Sequence, residues 1–194
     1  ISSRRAAESW IAEGKVKVNG IIIDDLGHQV DETSDQVIVD GIRARLPKKT
    51  TTIMFHKPAG CVCTRNDPQG RATVSDYLPP AFRTLKYVGR LDLQSRGLIL
   101  FTDDGELLHR LTHPSFEIPR SYCVWTDRPL SEKAAQKLVD GVDIREEGSD
   151  IEEIAYATDV YLENDFAELV LVEGKNREIR RMMRAVGYEI RDLK

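Results

Sequence analysis

The chain has 194 residues, of which 41% are hydrophobic and 31% are charged, and its formal net charge at pH 7 is −4. These values are typical of a globular protein with one medium-sized domain, or with a small domain followed by a medium-sized one. No apolar run approaches the roughly 18 residues of a membrane span. The acidic balance excludes a protein that coats nucleic acid by bulk positive charge, although local basic patches can still bind phosphates.

The three cysteines, Cys61, Cys63 and Cys123, are an odd number that includes a Cys-x-Cys pair. This pattern is poor as a disulfide framework and as a zinc site, so reduced thiols in a cytoplasmic protein are predicted. His56, His109 and His113 do not stand at ligand spacing from a carboxylate or thiol, and no Gly-rich phosphate loop is present. We therefore predict no metal, no cofactor and no membrane association. Because the chain begins without Met and ends in a strand-like segment, we expect sequence to be missing from both ends.

Residues 1–41 form the first predicted unit. Its predicted elements are, in order, a helix capped by Ser2 or Ser3 that runs to about Glu13, a hairpin that turns at Asn19-Gly20, and a strand at 36–39 followed by a turn at Asp40-Gly41. The hairpin is favoured because both residues of such a turn need positive φ, which Asn and Gly tolerate. Residues 42–51 are predicted to be a linker.

Residues 52–194 mix strands with helices. The predicted elements are a strand at 52–56, a central strand at 97–102 buried on both faces, a helix capped at Asp103-Asp104, a strand at 121–126, a helix capped by Ser131, a strand at 166–172 and a basic helix at 176–186. Without regular βαβ alternation, this order favours an α+β fold with a largely antiparallel mixed sheet and flanking helices, preceded by the small α+β domain.

A basic cluster in the first unit comprises Arg4, Arg5, Lys15 and Lys17. Helix N-termini and adjacent arginines suit phosphate, although charge alone favours a solvated surface. The segment Ser3-Arg4-Arg5-Ala6-Ala7-Glu8, together with Val16-x-Val18-Asn19-Gly20, resembles the S-four-type RNA-binding module, whose usual opening helix is absent here. The resemblance implies that the cluster binds structured RNA, such as a stem-loop, through its shape and phosphates.

The segment Gly89-Arg90-Leu91-Asp92-Leu93-Gln94-Ser95-Arg96-Gly97-Leu98 places a carboxylate between two arginines ahead of a buried strand. A carboxylate flanked by cations stays ionised and can be aimed at a substrate, but charge alone favours a structural salt bridge. The sequence of this segment closely resembles the catalytic motif of pseudouridine synthases, in the branch that modifies ribosomal RNA and carries an S-four-type domain. The resemblance implies that Asp92 is the catalytic residue and that 52–194 is the catalytic domain.

Two further segments match the same family. Arg120-x-Tyr122 at the start of a strand resembles its basic-x-Tyr element, which implies that Tyr122 lies against the target base. The segment from Val172 to Met183 resembles its last motif and is rich in basic residues. By register, Arg180 is the expected partner of Asp92, with Arg181 as the alternative, because neighbours on a helix point about 100° apart.

The remaining site residues follow from the same resemblance. Residues 55–60 and 63–71 resemble the opening motif of this branch, which the family places near RNA. The residues expected to contact RNA in the catalytic domain are Lys57, Arg65, Arg90, Arg96, Arg120, Lys175, Arg177 and Ile179, the last through apolar packing against the base.

The function implied is isomerisation of uridine to pseudouridine in ribosomal RNA, by a monomer that flips the base out of the helix. The sequence of residues 63–68 favours large-subunit ribosomal RNA as the substrate, with small-subunit ribosomal RNA as the alternative. The chain could instead be a non-catalytic protein that binds structured RNA, or a hydrolase that uses paired carboxylates.

Overall fold

The computed structural model describes residues 4–45, 49–146 and 148–194, and these divide between Lys49 and Thr50 into two compact units. The predicted capping residues Ser2 and Ser3, and residues 46–48 of the predicted linker, lie outside the described residues. Within the described ranges, no helix is long and apolar enough to cross a membrane.

The small unit is a helix with a four-stranded antiparallel sheet. Its elements are α1 (Arg4–Ala12), β1 (Val16–Val18), β2 (Ile21–Ile22), β3 (Val37–Val39) and β4 (Ile42–Arg43), and the strand order is β2-β1-β3-β4. Both predicted turns are present, with φ of 52° at Asn19 and 48° at Asp40, each followed by a glycine with positive φ. The second turn folds Ile42 and Arg43 back onto β3, so these two residues extend the sheet and are not part of a linker.

The large unit is also α+β. Its elements are β5 (Thr52–Lys57), β6 (Lys86–Val88), β7 (Gly97–Thr102), α2 (Gly105–Thr112), β8 (Arg120–Thr126), α3 (Glu132–Asp140), β9 (Val142–Asp143), β10 (Ile154–Ala155), β11 (Asp159–Leu162), β12 (Ala167–Leu171), α4 (Glu178–Ala185) and β13 (Ile190–Leu193). They form sheets with the orders β5-β7-β6 and β11-β12-β8-β13, and β9 pairs with β10. All of these strand pairs are antiparallel, which confirms the predicted α+β class.

Local sequence explains the helices of this unit. Asp104 caps α2 by accepting hydrogen bonds from two backbone N–H groups, and the Ser131 hydroxyl does the same for α3 with one. The basic helix α4 begins at Glu178, two residues later than predicted, because Arg177 adopts a left-handed conformation with φ of 48°. The buried face of α4 packs into the core beneath the sheet β11-β12-β8-β13.

Strand β7 differs from the prediction on one face. Ile99 and Phe101 are buried against the core of the three-stranded sheet, but Leu98, on the other face, is 62% exposed. The strand is central, as predicted, yet it is not buried on both faces, because the Leu98 side lines an open groove.

A backbone hydrogen bond joins the two sheets of the large unit where β7 begins. The N–H of Arg96 donates to the carbonyl oxygen of Leu193 at 2.9 Å, and a pair of hydrogen bonds between Cys123 and Lys194 continues the pairing of β8 with β13. The segment that precedes β7 is therefore fixed beside β8, β13 and α4.

Candidate active site

A groove of about 730 Å³ opens between the segment before β7, the start of β8 and the N-terminal turn of α4. The polar side chains that line it include Arg90, Asp92, Ser95, Arg120, Tyr122, Lys175, Arg177, Glu178 and Arg180. Val88, Leu98, Leu100, Leu111 and Ile118 form an apolar wall. A large pocket of mixed apolar and convergent polar character is the usual form of a ligand site.

Asp92 lies beside Arg180 in this groove. Arg180 Nε is 3.6 Å from Asp92 Oδ2, and the side chains are 18% and 36% exposed respectively. Arg181 points elsewhere and pairs with Glu153 at 2.6 Å, so it is not the partner of Asp92. Arg180 thus lies beside the carboxyl group of Asp92, part of which faces solvent, where a ligand can reach it.

Lys57 supports the backbone of this segment from inside. It is fully buried, and its Nζ donates to the carbonyl oxygens of Asp92 at 3.0 Å and Ser95 at 2.7 Å, and to those of Pro58 and Leu93. The expectation that Lys57 contacts RNA is therefore wrong, because its ammonium faces the interior. The sequence held a signal for this arrangement: the alternation that turns Ile53 and Phe55 inward along β5 turns Lys57 inward as well.

Cys63 supports the same segment from the other side. Its Sγ accepts a hydrogen bond from the N–H of Leu91 and donates to the carbonyl oxygen of the same residue, both at 3.3 Å. Burial raises the pKa of the Cys63 thiol, so the group stays protonated at neutral pH and is a poor nucleophile. No local pattern predicts this contact, since the two residues are far apart in the chain.

Tyr122 projects from β8 into the groove. Burial raises the pKa of its hydroxyl, and the nearby carboxylates of Glu178 and Asp92 add to the shift while Arg120 opposes it. The hydroxyl is therefore neutral over the physiological range. Ile179, which is 6% exposed, lies in the apolar part of the lining. The Asp92 carboxyl group, a neutral aromatic ring and an arginine thus meet in one groove.

The predicted RNA-contacting cations that line the groove differ in availability. Arg90 and Arg177 are exposed, and within the described part of the chain their side chains have no hydrogen bond or ion pair. Lys175 pairs with Glu173 at 2.8 Å, and Arg120 donates to the carbonyl oxygens of Val172 and Glu173. Arg90 and Arg177 are therefore the better placed of the four to meet an anion.

Arg65 and Arg96 do not line the groove. Arg65 donates to the carbonyl oxygens of Thr84 and Leu85, and Arg96 pairs with Asp192 at 2.6 Å while its guanidinium lies over the ring of Trp125. Both side chains join parts of the fold, so the expectation that they contact RNA is not supported by their positions.

The basic cluster of the small unit is partly neutralised. Arg4 pairs with Glu8 at 3.2 Å, and Lys15 pairs with Glu13 at 2.6 Å. Arg5 and Lys17 are exposed and, among the described residues, have no side-chain partner. Surface pairs of this kind are weak, so Arg4 and Lys15 remain able to exchange their partners for a phosphate.

Glu178 is a buried carboxyl group at the start of α4. It is 5% exposed, one oxygen accepts the N–H of Lys175 at 2.9 Å, and the other has no partner among the described residues. Burial raises the pKa of this carboxyl above its usual value, which means that folding disfavours its charged form.

Replacing Glu178 by Gln is expected to stabilise the fold at neutral pH. The pKa of Glu178 is higher in the folded protein than in the unfolded chain, so the wild type loses stability as pH rises above the pKa of the unfolded chain. Gln does not ionise, so the variant does not show this loss. Urea unfolding from pH 4 to 8 measures this: the advantage of Glu178→Gln should grow with pH and vanish at the acidic end. A variant less stable than wild type at pH 7 would contradict the assignment.

Comparisons with known proteins identify the family. The model of the RNA pseudouridylate synthase family matches residues 51–185, and that of the S4 domain matches residues 1–37. A solved structure described as a pseudouridylate synthase is 27% identical, with a TM-score of 0.67, over 98% of this chain and 80% of that one.

Two curated relatives align along the whole chain. The ribosomal large subunit pseudouridine synthase B of Pseudomonas aeruginosa is 40% identical, and the chain spans 51% of its length. An uncharacterized RNA pseudouridine synthase of Mycobacterium tuberculosis is 35% identical, and the chain spans 77% of its length. Because the family model covers most of the large unit and these relatives align throughout, the chain belongs to the RNA pseudouridylate synthase family.

Proposed function

We propose that this chain isomerises uridine to pseudouridine in large-subunit ribosomal RNA, with Asp92 as the essential carboxylate. The observation that carries the proposal is the Asp92–Arg180 pair, 3.6 Å apart, in the groove that also holds Tyr122. The choice of RNA is supported by relatives from Pseudomonas aeruginosa, Pasteurella multocida and Vibrio cholerae, which are named ribosomal large subunit pseudouridine synthase B.

The reaction conserves all atoms of the RNA. The bond between C1′ of the ribose and N1 of uracil breaks, the uracil turns over, and a bond forms between C1′ and C5. The proton on C5 leaves and N1 gains one, so the reaction has no net oxidation or reduction. Asp92, as nucleophile or base, starts the sequence, and Arg180 keeps its carboxylate charged and oriented in a site drier than bulk water.

The target uridine must leave the stack of bases before Asp92 can reach it, at a cost of a few kcal/mol. Arg90 and Arg177 are exposed on the groove and are suited to hold the phosphates beside the flipped nucleotide. Tyr122 and Ile179 would pack on the uracil ring. The neutral Tyr122 hydroxyl is suited to donate a hydrogen bond there, whereas taking the proton from C5 requires that Tyr122 first lose its own.

The choice of substrate is tested with transcripts of the two ribosomal RNAs and the purified chain. We expect pseudouridine at a single position of the large-subunit transcript and none in the small-subunit transcript. Modification of the small-subunit RNA alone would contradict the choice of substrate. Tight binding without any pseudouridine would instead support a non-catalytic RNA-binding protein.

The small unit is proposed to bind the RNA through its shape and phosphates, as S4 domains suit structured RNA. We further propose that the protein acts as a monomer in the cytoplasm, where its three free cysteines remain reduced.

Replacing Arg4 and Arg5 together by Ala is expected to weaken RNA binding and to flatten its salt dependence. Each phosphate contact contributes roughly 0.7–0.9 to the slope of log K against log salt, so the slope should fall by about one to two. Filter binding at several salt concentrations measures it. The control removes the same charge from α3, with Lys133 and Lys137 replaced by Ala. An unchanged slope in the Arg4/Arg5 variant would exclude the cluster from the interface.

A further inference from the structure

One edge of the Arg180 guanidinium faces two different residues, Asp92 and Ser95. Nε and Nη2 of an arginine lie on the same edge, which can close on both oxygens of a carboxylate. In Arg180 the shortest contact to Asp92 is that of Nε, at 3.6 Å from Oδ2, which is longer than a hydrogen bond, while Nη2 donates to the hydroxyl oxygen of Ser95 at 3.2 Å. Ser95 therefore occupies the half of the edge that would complete a two-pronged pair with Asp92.

Two other arginines of this chain show what an undivided edge does. Arg71 closes on Asp67 with Nε at 2.9 Å and Nη2 at 2.7 Å, and these bonds lower the pKa of Asp67 to about 2. Arg96 places both Nε and Nη2 on a single oxygen of Asp192, Oδ2, and the pKa of that carboxyl is also lowered. A carboxylate held in this way is a weaker base and a weaker nucleophile, because its lone pairs are engaged.

The backbone of Ser95 is held beside that of Asp92. Ser95 is 1% exposed, its N–H donates to the carbonyl oxygen of Asp92 at 3.1 Å, and its own carbonyl oxygen accepts from Lys57 at 2.7 Å. These bonds fix the Cα from which the hydroxyl projects, and burial limits the space into which the hydroxyl can turn. The sequence places Ser95 three residues after Asp92, where no feature of charge or periodicity distinguishes it.

We propose that Ser95 is a positioning residue that withholds one N–H of Arg180 from Asp92. Arg180 then keeps the carboxylate charged and oriented without closing on both of its oxygens, so Asp92 retains a free lone pair for the substrate. This inference deepens the proposed function and rests on it.

Other charged or titratable groups also face this pair. They are Arg90 beside Asp92, Arg120 and Tyr122 on β8, Lys175, Arg177 and Glu178 at the start of α4, Asp192 on β13, Cys63 beside Leu91, and Lys57 at the backbone of Asp92. None of them makes a hydrogen bond to the Ser95 hydroxyl within the described ranges, so its removal acts first on Arg180.

Ser95→Ala is the test, and Ser95→Thr, which keeps the hydroxyl, is its control. In Ser95→Ala we expect Nη2 of Arg180 to turn to Asp92. The acidic limb of the pH profile of kcat should then move to lower pH by about one unit or more, and kcat should fall about tenfold. KM should change little, and Ser95→Thr should restore the wild-type limb. Carbon-13 NMR of the Asp92 carboxyl, assigned with Asp92→Asn, should show the same downward shift without any need for turnover.

The Arg180→Lys background makes the test specific. Lysine has no two-pronged edge, so adding Ser95→Ala to Arg180→Lys should leave the carboxyl titration where Arg180→Lys alone puts it. The proposal is overturned if Ser95→Ala titrates like the wild type, or if it shifts the titration equally in both backgrounds. Should Ser95→Ala fail to fold, Ser95→Cys keeps the size with a weaker acceptor, and a smaller shift in the same direction is expected. Failure of the proposed function would appear separately, as turnover by Asp92→Asn.

Discussion

Replacing Asp92 by Asn is expected to lower kcat by about three orders of magnitude or more, with RNA binding retained. Asn has nearly the same shape but neither ionises nor attacks a carbon, so the step that starts the reaction is lost. The side chain is 36% exposed and its closest cation is 3.6 Å away, so the fold should tolerate the change. Release of tritium from RNA labelled at C5 of uracil measures turnover, and filter binding measures affinity.

The matched control is Asp165→Asn, because Asp165 is exposed and, in the described part of the chain, has no side-chain partner. This variant should behave as the wild type in both assays. Substantial turnover by Asp92→Asn would exclude Asp92 as the essential residue, whereas equal loss of binding and turnover would indicate that the substitution disturbs the groove.

Replacing Lys57 by Met is expected to lower the free energy of unfolding by about 3–5 kcal/mol and to reduce kcat as well. The substitution removes a fully buried ammonium and leaves without a donor the carbonyl oxygens that it holds, including those of Asp92 and Ser95. Because this ammonium fixes the backbone on which Asp92 stands, its loss should misplace the carboxylate even in molecules that remain folded.

Urea unfolding and tritium release at a temperature where the variant is folded separate these two effects. Lys86→Met is the control, since Lys86 is an exposed strand residue whose replacement should change stability by less than about 0.5 kcal/mol. If Lys57→Met were as stable and as active as Lys86→Met, the buried ammonium would not support the segment as described.

The elements of the fold that local chemistry determines could be predicted from the sequence. The turns at Asn19-Gly20 and Asp40-Gly41, and the caps at Asp104 and Ser131, follow from the residues at those positions. The strands β9, β10 and β11 could not be predicted, because they are short and their pairing depends on residues that are distant in sequence. The partial exposure of β7 could not be predicted for a related reason, since the groove that it lines is made by several elements.

The site residues could likewise be predicted only in part. Family motifs brought out Asp92, Tyr122 and Arg180, which the structure places in one groove. The motifs did not show which cations face the groove and which bind other parts of the fold. Lys57 is assigned inward by strand alternation, whereas the pairing of Arg96 with Asp192 spans 96 residues and has no local signal.

The most direct test of the proposed isomerisation follows the fate of the uracil ring in RNA labelled with tritium at C5 and incubated with the wild-type chain. For each pseudouridine recovered from the digested RNA, we expect one tritium in the water and no free uracil. Free uracil released from the RNA would show that the Asp92 groove hydrolyses the glycosidic bond. Absence of tritium release with RNA bound would show that the groove binds RNA without isomerising it.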